Sequence, residues 1–439
     1  MHPTRAPHTQ RGQTLVMALG LLLAAAAGLY VMFSAGQVAS AKTRLVNAAD
    51  AAAWSAALWR ARVLNYHAYS NRAIIANEVA IAQAVTLVSW AQYFESLTRN
   101  AALIGTYVPP AEPVLGGIAE AAMLAREAAQ TAATIEVPAR AAHDFGYKEI
   151  LQTSQEILQM SAQAFGVSMV AAEVARANDP GYFAWVLPDD GGFRDFTRRY
   201  ESDEDRQRLK QRVMDSLDPF TSGPRSEDIH TPIPSLCLNL MRVRKRGGTT
   251  LTPDLERWEA VDTMSFHLRT LGGLRCRERE AVPLGWGAAE AGELPGQRAV
   301  LDEGGETWIN PAATRLAGTG MASFGPYAGI ARVRELNYEA LANNRFPLSR
   351  LAVLARQPGA DVATAQNRAL AAGRVLPPDR FAGSGRPHLW ALAAAEVYFR
   401  RPPEAAPRIE YASLFNPYWQ VRLAEPTLAE RAIAQAYAD

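Results

Sequence analysis

The longest apolar stretch of the chain begins at Thr14 and runs through Leu15, Val16, Met17 and the alanines Ala24 to Ala27 to Phe33, and no charged side chain lies between Gly12 and Ala41. A helix rises about 1.5 Å per residue and needs about 20 residues to cross the hydrocarbon of a bilayer, so this stretch predicts a membrane-spanning helix from about Thr14 to about Ala41. The competing reading is a cleaved secretory signal, whose apolar part needs only about 7 to 15 residues and ends at a small-x-small site such as Ala39-Ser40-Ala41. The surplus length favours a retained anchor. Arg5 and Arg11 before the helix are matched by Lys42 and Arg44 after it, so local charge does not set the orientation. A short tail and a long following domain fit insertion with the N-terminus inside and the C-terminus outside. A second uncharged run, Val79 to Phe94, is roughly 16 residues, short of the about 20 that span a bilayer, and it carries Gln83, Thr86, Ser89 and Gln92. It predicts a buried helix rather than a second span.

From Lys42 to about Ala177 the chain is rich in Ala, Leu, Val, Glu and Gln, which are good helix formers. The first helix is expected to continue out of the bilayer towards Thr98, with a kink near Asn65, and to stop at Val108-Pro109-Pro110 and Pro113. Two further helical tracts, Leu115 to Glu136 and His143 to Ala177, are expected on either side of Pro138. Asn178-Asp179-Pro180-Gly181 is a turn signal, after which Gly, Pro and Trp become frequent. Leu236 to Arg244 alternates in part and meets Gly247-Gly248, which reads as a β-hairpin with a basic tip. Further strands are expected at Asp262 to Leu268, Leu348 to Ala355, Trp390 to Phe399 and Tyr418 to Leu423, and a helix at Asp361 to Ala372. The predicted class is α+β: residues 1–41 a tail and transmembrane anchor, 42–179 a helical bundle, and 180–439 an α+β domain outside the cytoplasm.

Composition narrows the functional classes. The 45 basic and 44 acidic side chains leave a net charge of +1, so no global field recruits nucleic acid. The phosphate loop GxxxxGK[ST], the nucleophile elbow GxSxG and the zinc motif HExxH are all missing from the sequence. Nothing in it calls for a cofactor, and no catalytic or metal-binding residue is assigned. His2, His8, His67, His143, His230, His267 and His388 are scattered and read as ordinary surface or hydrogen-bonded side chains. Asp189-Asp190-Gly191-Gly192 lacks the regular oxygen ligands of a calcium loop and reads as a solvated turn. Arg242, Arg244, Lys245 and Arg246 read as a charged edge that discourages strand pairing, with anionic lipid or phosphate as the alternative. Cys237 and Cys276 are the two cysteines. In an oxidising compartment they would close a loop of about 40 residues, contributing roughly 3 to 4 kcal/mol, against the alternative of two buried thiols.

Arg11-Gly12-Gln13-Thr14, the apolar helix, and then Leu45-Val46-Asn47-Ala48-Ala49-Asp50-Ala51-Ala52-Ala53 together resemble the TadG-like N-terminal region of Flp (tight adherence) pilus-assembly proteins. The resemblance is close over Arg11 to Ala57 and looser over the tract containing Asn71, Asn77 and Glu78. It implies a single-pass anchor in a bacterial inner membrane, a periplasmic or extracellular remainder, pseudopilin-like character, and other pilus-assembly or secretion proteins as partners. In related TadE-type pseudopilins a prepilin peptidase cuts after a glycine and leaves glutamate at the fifth mature position. Gly12 is the corresponding glycine, but Met17 stands where the glutamate belongs. The DxSxS motif carried by some longer relatives is also missing, since Asp262-Thr263-Met264-Ser265 has the wrong spacing.

Independently of the resemblance, Gly20, Ala24 and Gly28 recur every four residues on one helical face, a small-xxx-small surface suited to another membrane helix. The alternative is a lipid-facing anchor. Ala48, Ala49, Ala51, Ala52, Ala53, Ala56 and Ala57 extend the small face beyond the membrane, beside Asn47 and Asp50, and Asp50 is either solvated or a polar register mark at an interface. The expected function is non-enzymatic: an accessory membrane protein of Flp-type pilus assembly or a related secretion apparatus. The alternatives are a tethered receptor or adhesin, and an envelope enzyme with a site scattered in sequence.

Overall fold

A computed structural model describes residues 13–107, 112–188, 192–230, 241–272, 275–293, 306–330, 333–373, 388–402 and 409–438. The architecture is α+β, with long helices followed by a strand-rich C-terminal region. Helix α1, Gln13–Gly105, is unbroken over 93 residues and passes through Asn65 without interruption. Helix α2, Glu112–Ser161, contains Pro138, and helix α3 is Ala164–Asn178. The break expected at Pro138 therefore falls at Ala162-Gln163 instead. A proline inside a helix costs about 3 kcal/mol, which good helix formers and packing offset; Val137, buried beside it, supplies part of that packing.

Two compact units divide the chain differently from the sequence boundaries: 1–66, 156–197 and 336–439 form the first, and 67–155 with 198–335 the second. Each unit gathers distant stretches because α1 and α2 contribute to both. The expected turn at Asp179 is present, with the Gly181 amide donating to Asp179 Oδ1 at 2.9 Å.

The first unit is built on an antiparallel sheet in the order Phe183–Val186, Ser349–Pro358, His388–Phe399, Trp419–Ala424. The last three match the strands expected at Leu348 to Ala355, Trp390 to Phe399 and Tyr418 to Leu423. One face packs Val353, Ala355, Ala393, Ala395 and Val397 into a core with Leu45, Ala48, Ala49, Ala52, Ala53, Ala56, Ala57 and Leu64 of α1. Their spacing of three and four places them on one side of the helix, and their small size lets its backbone lie close to the sheet. On the other face, Ala434 of the helix Leu428–Ala438 joins Leu354 and Ala394. Arg60 is fully buried in this unit. Its Nε donates to the Ala162 carbonyl at 3.0 Å, its Nη1 to Ser349 Oγ at 3.3 Å, and its guanidinium lies 4.6 Å from the Phe193 ring centroid. That places the charge on the chain break between α2 and α3. Asn65 holds the edge strand with two bonds, Nδ2 to the Trp419 carbonyl and the Trp419 amide to Oδ1, each 3.0 Å.

The second unit contains a five-stranded sheet in the order Glu227–His230, Met241–Leu251, Trp258–Gly272, Arg275–Ala291, Ala322–Phe324. Only the last pairing is parallel. The Val79 to Phe94 segment of α1 lies on it, and three of the four polar residues that argued against a membrane span meet the sheet, while Gln83 donates to Asp218 at 3.0 Å. Thr86 Oγ1 is 2.7 Å from Thr249 Oγ1, Ser89 Oγ donates to Asp262 Oδ2 at 2.9 Å, and Gln92 Oε1 accepts from the Ala288 amide at 3.0 Å. One turn further, Ser96 exchanges bonds with the Trp286 backbone, and Asn100 donates to the Leu284 carbonyl at 2.7 Å. Gly287 makes the close approach possible, since a Cβ there would stand 2.1 Å from the Ser89 carbonyl oxygen.

Gly247-Gly248 is not a turn. It lies within the strand Met241–Leu251, with Gly247 opposite Asp262. A Cβ on Gly247 would fall 2.3 Å from Asp262 Oδ1, so the glycine leaves room for a buried carboxylate. The chain reverses at 252–257, where the Thr252 amide bonds the Arg257 carbonyl and Leu255 adopts φ 64°. Arg242, Arg244, Lys245 and Arg246 consequently sit along a paired strand instead of a hairpin tip. Arg244 Nε is 2.7 Å from Glu278 Oε1, Arg246 is 2.7 Å from Asp228 and 2.8 Å from Glu306, and Lys245 lies over the Tyr93 ring.

Candidate assembly surface

In the N-terminal part of α1, side chains from Leu15 to Met32 are exposed, apart from the partly covered Tyr30. By itself α1 is long and apolar enough to cross a membrane, and its most apolar stretch is left uncovered by the rest of the protein. Gly20, Ala24 and Gly28 share a face of this stretch, and a Cβ added at either glycine would meet nothing within 4 Å. Backbone can therefore be approached closely there by another helix.

Beyond the anchor the picture changes. The alanines at 48, 49, 52, 53, 56 and 57 are covered by the chain's own sheet, because their face of α1 is the one the strands need. What remains outward is the opposite side: Val46, Asn47 and Trp54 are exposed, and Asp50 is half-buried. Loss of water and the nearby Glu425 carboxylate raise the Asp50 carboxyl above the usual aspartate range. Of the residues singled out from sequence, Gly20, Ala24, Gly28, Asn47 and Asp50 thus belong to one helix. Gly12 lies outside the described residues. Cys276 is on the strand Arg275–Ala291, opposite Leu271. Cys237, its expected partner, also lies outside the described residues, as does the Asp189 to Gly191 turn.

Residues 12–61 match the family model described as putative Flp pilus-assembly, TadE/G-like. The TadE/G-like match covers the anchor, Asn47, Asp50 and the alanine face, and it agrees with the resemblance carried by the Arg11-Gly12-Gln13 start and the Asn47-Ala48-Ala49-Asp50 run. Together with the apolar helix it supports a pilus-assembly-related membrane protein. No curated protein and no solved structure matches the chain.

Two groupings in the second unit were not foreseen from the sequence. Glu78 is buried and its Oε2 accepts from Trp258 Nε1 at 3.1 Å and from the Tyr327 hydroxyl, with Lys148 3.9 Å from Oε1. The sequence placed Glu78 in the looser part of the resemblance but gave no sign of its partners, which lie 70, 180 and 249 positions away. The second is a cavity of about 520 Å³ lined by Arg244, His267, Glu278, Arg279, Glu280, Trp308 and Arg315. His267 Nε2 is 2.8 Å from Asn310 Oδ1, and Glu280 accepts the Ala312 and Ala313 amides at the start of the helix Pro311–Thr319. Glu278 gathers Arg242, Arg244, Arg269 and His267. Such pairing holds the strands together, while Arg279, Arg315 and Trp308 present cationic and aromatic groups towards solvent. Among the described residues, no group of three or more His, Cys, Asp or Glu is placed to hold a metal ion.

Proposed function

We propose that this chain is a non-enzymatic, single-pass accessory protein of Flp-type pilus assembly or a related secretion apparatus. Its anchor sits in a bacterial inner membrane, and both folded units lie on the periplasmic or extracellular side. The observation that carries the reading is the TadE/G-like match of residues 12–61 on a helix whose Gly20, Ala24 and Gly28 face is open. Helix packing through that face is the mode of action, and Asn47 and Asp50 offer a separate contact on another side of α1 outside the bilayer. The test is Gly20→Leu with Gly28→Leu, followed by crosslinking and copurification of pilus-assembly proteins encoded nearby. Partner recovery is expected to fall while membrane abundance holds. Unchanged recovery would reject the packing face.

The cavity at Arg279, Trp308 and Arg315 favours a second reading, a tethered receptor for a small anion. A thermal-shift screen of small carboxylates and phosphates against the protein and Arg315→Ala separates the two. Stabilisation abolished by that substitution supports the receptor.

A further inference from the structure

The apolar stretch of α1 ends where the first folded unit begins. From Thr14 to Met32 the helix rises about 28 Å, close to the roughly 30 Å of bilayer hydrocarbon. At the next residues it meets protein. Ser34 is fully buried, and its Oγ accepts the Ala365 amide at 3.4 Å. The Arg368 guanidinium lies over the Phe33 ring, 5.4 Å from its centroid, and Arg368 is exposed. Both partners come from the stretch that includes the turn Gly359–Asp361 and the helix Ala365–Ala371. Asn367 braces that stretch by donating to the Gly359 and Val362 carbonyls at 3.0 and 2.7 Å.

The headgroup layer adds only about 5 to 7 Å on each side of the hydrocarbon. Along α1 that corresponds to roughly one turn beyond Met32, the turn that carries Phe33 and Ser34. We infer that the helix Ala365–Ala371 rests in the headgroup layer of the membrane that holds the anchor, and that Arg368 binds the phosphate of an anionic phospholipid there. The inference rests on the proposed anchor. A guanidinium on an aromatic ring at the hydrocarbon edge keeps its apolar stem against protein and its donors towards phosphate. Lys42, about 15 Å further along the helix, lies beyond the layer and instead donates to the Trp390 carbonyl. Asp361, exposed on the same stretch, is the acidic group nearest in sequence to Arg368 and limits the local positive charge.

The full chain purified in detergent is titrated with phosphatidylglycerol and with phosphatidylcholine, and bound lipid is counted by native mass spectrometry. The protein is expected to prefer phosphatidylglycerol. Arg368→Gln should lower that preference about fivefold, the value of one cation at a membrane surface, and Arg368→Lys should retain most of it. An unchanged preference in Arg368→Gln overturns the proposal, and so does an equal loss in both variants, which would assign the effect to packing on Phe33. Alkaline carbonate extraction of membranes from the same cells reads the anchor separately. Release of the wild-type chain into the soluble fraction would sink the anchor itself, whereas retention with unchanged lipid preference would sink only the headgroup contact.

Discussion

Arg225 grips Asp262 with two parallel bonds, Nε to Oδ1 and Nη2 to Oδ2, each 2.8 Å, beneath the helix that supplies Ser89. The aspartate is fully buried, and burial pushes its carboxyl up while the Arg225 guanidinium and the Ser89 hydroxyl oppose the shift. Removing the cation leaves a carboxylate without its main partner. Arg225→Met is expected to destabilise the second unit by about 3 to 5 kcal/mol, with Arg225→Met combined with Asp262→Asn recovering part of the loss. Chemical denaturation of both variants checks this, and a single variant as stable as the parent would contradict it.

Two glycines should respond with opposite signs. Gly287→Ala drives a methyl into the backbone of α1 and is expected to cost about 1 to 3 kcal/mol or more. Gly318, within the helix Pro311–Thr319, faces open space, so Gly318→Ala should stabilise by about 0.5 to 1 kcal/mol. Thermal unfolding of the pair distinguishes a packing requirement from a general effect of added bulk.

Asp50 gives a pH-dependent expectation. Its folded-state pKa is raised, so the folded chain holds the proton more tightly than the unfolded one, and stability from this group increases as pH falls through the folded value. Above that value the charged carboxylate opposes folding. Asp50→Asn should therefore raise the melting temperature at neutral pH and lose its advantage in acid. An advantage that grows in acid would reverse the assignment.

For the cysteines, the expected state is a Cys237 to Cys276 disulfide in protein that has reached an oxidising compartment. Peptide mapping without reductant, after trapping free thiols in the cells, reads it directly. Alkylation of both residues would refute the bridge.

The apolar N-terminal helix, the buried character of Val79 to Phe94 and the strands containing Leu348 to Ala355, Trp390 to Phe399 and Tyr418 to Leu423 were legible because composition and length report on burial locally. Partners were not. Ser89 meets Asp262 across 173 positions and Arg60 meets Ser349 across 289, and a single sequence does not reveal such pairs. Glycine misled for a related reason: Gly247-Gly248 looks the same whether it turns the chain or makes room for a neighbour. Pro138 misled because its local cost was weighed without the packing that offsets it. The alanine run was read as a face for close helix packing outside the membrane; its occupant is the chain's own sheet.

The two bonds that join Asn65 to Trp419 connect positions 354 residues apart. At translation rates of roughly 5 to 20 residues per second, the alanine face of α1 waits on the order of 20 to 70 s for the strand that completes its cover. Until then that face lacks part of its cover, so a chain truncated before Trp419 loses both the partner of Asn65 and the edge of the core that the alanines need.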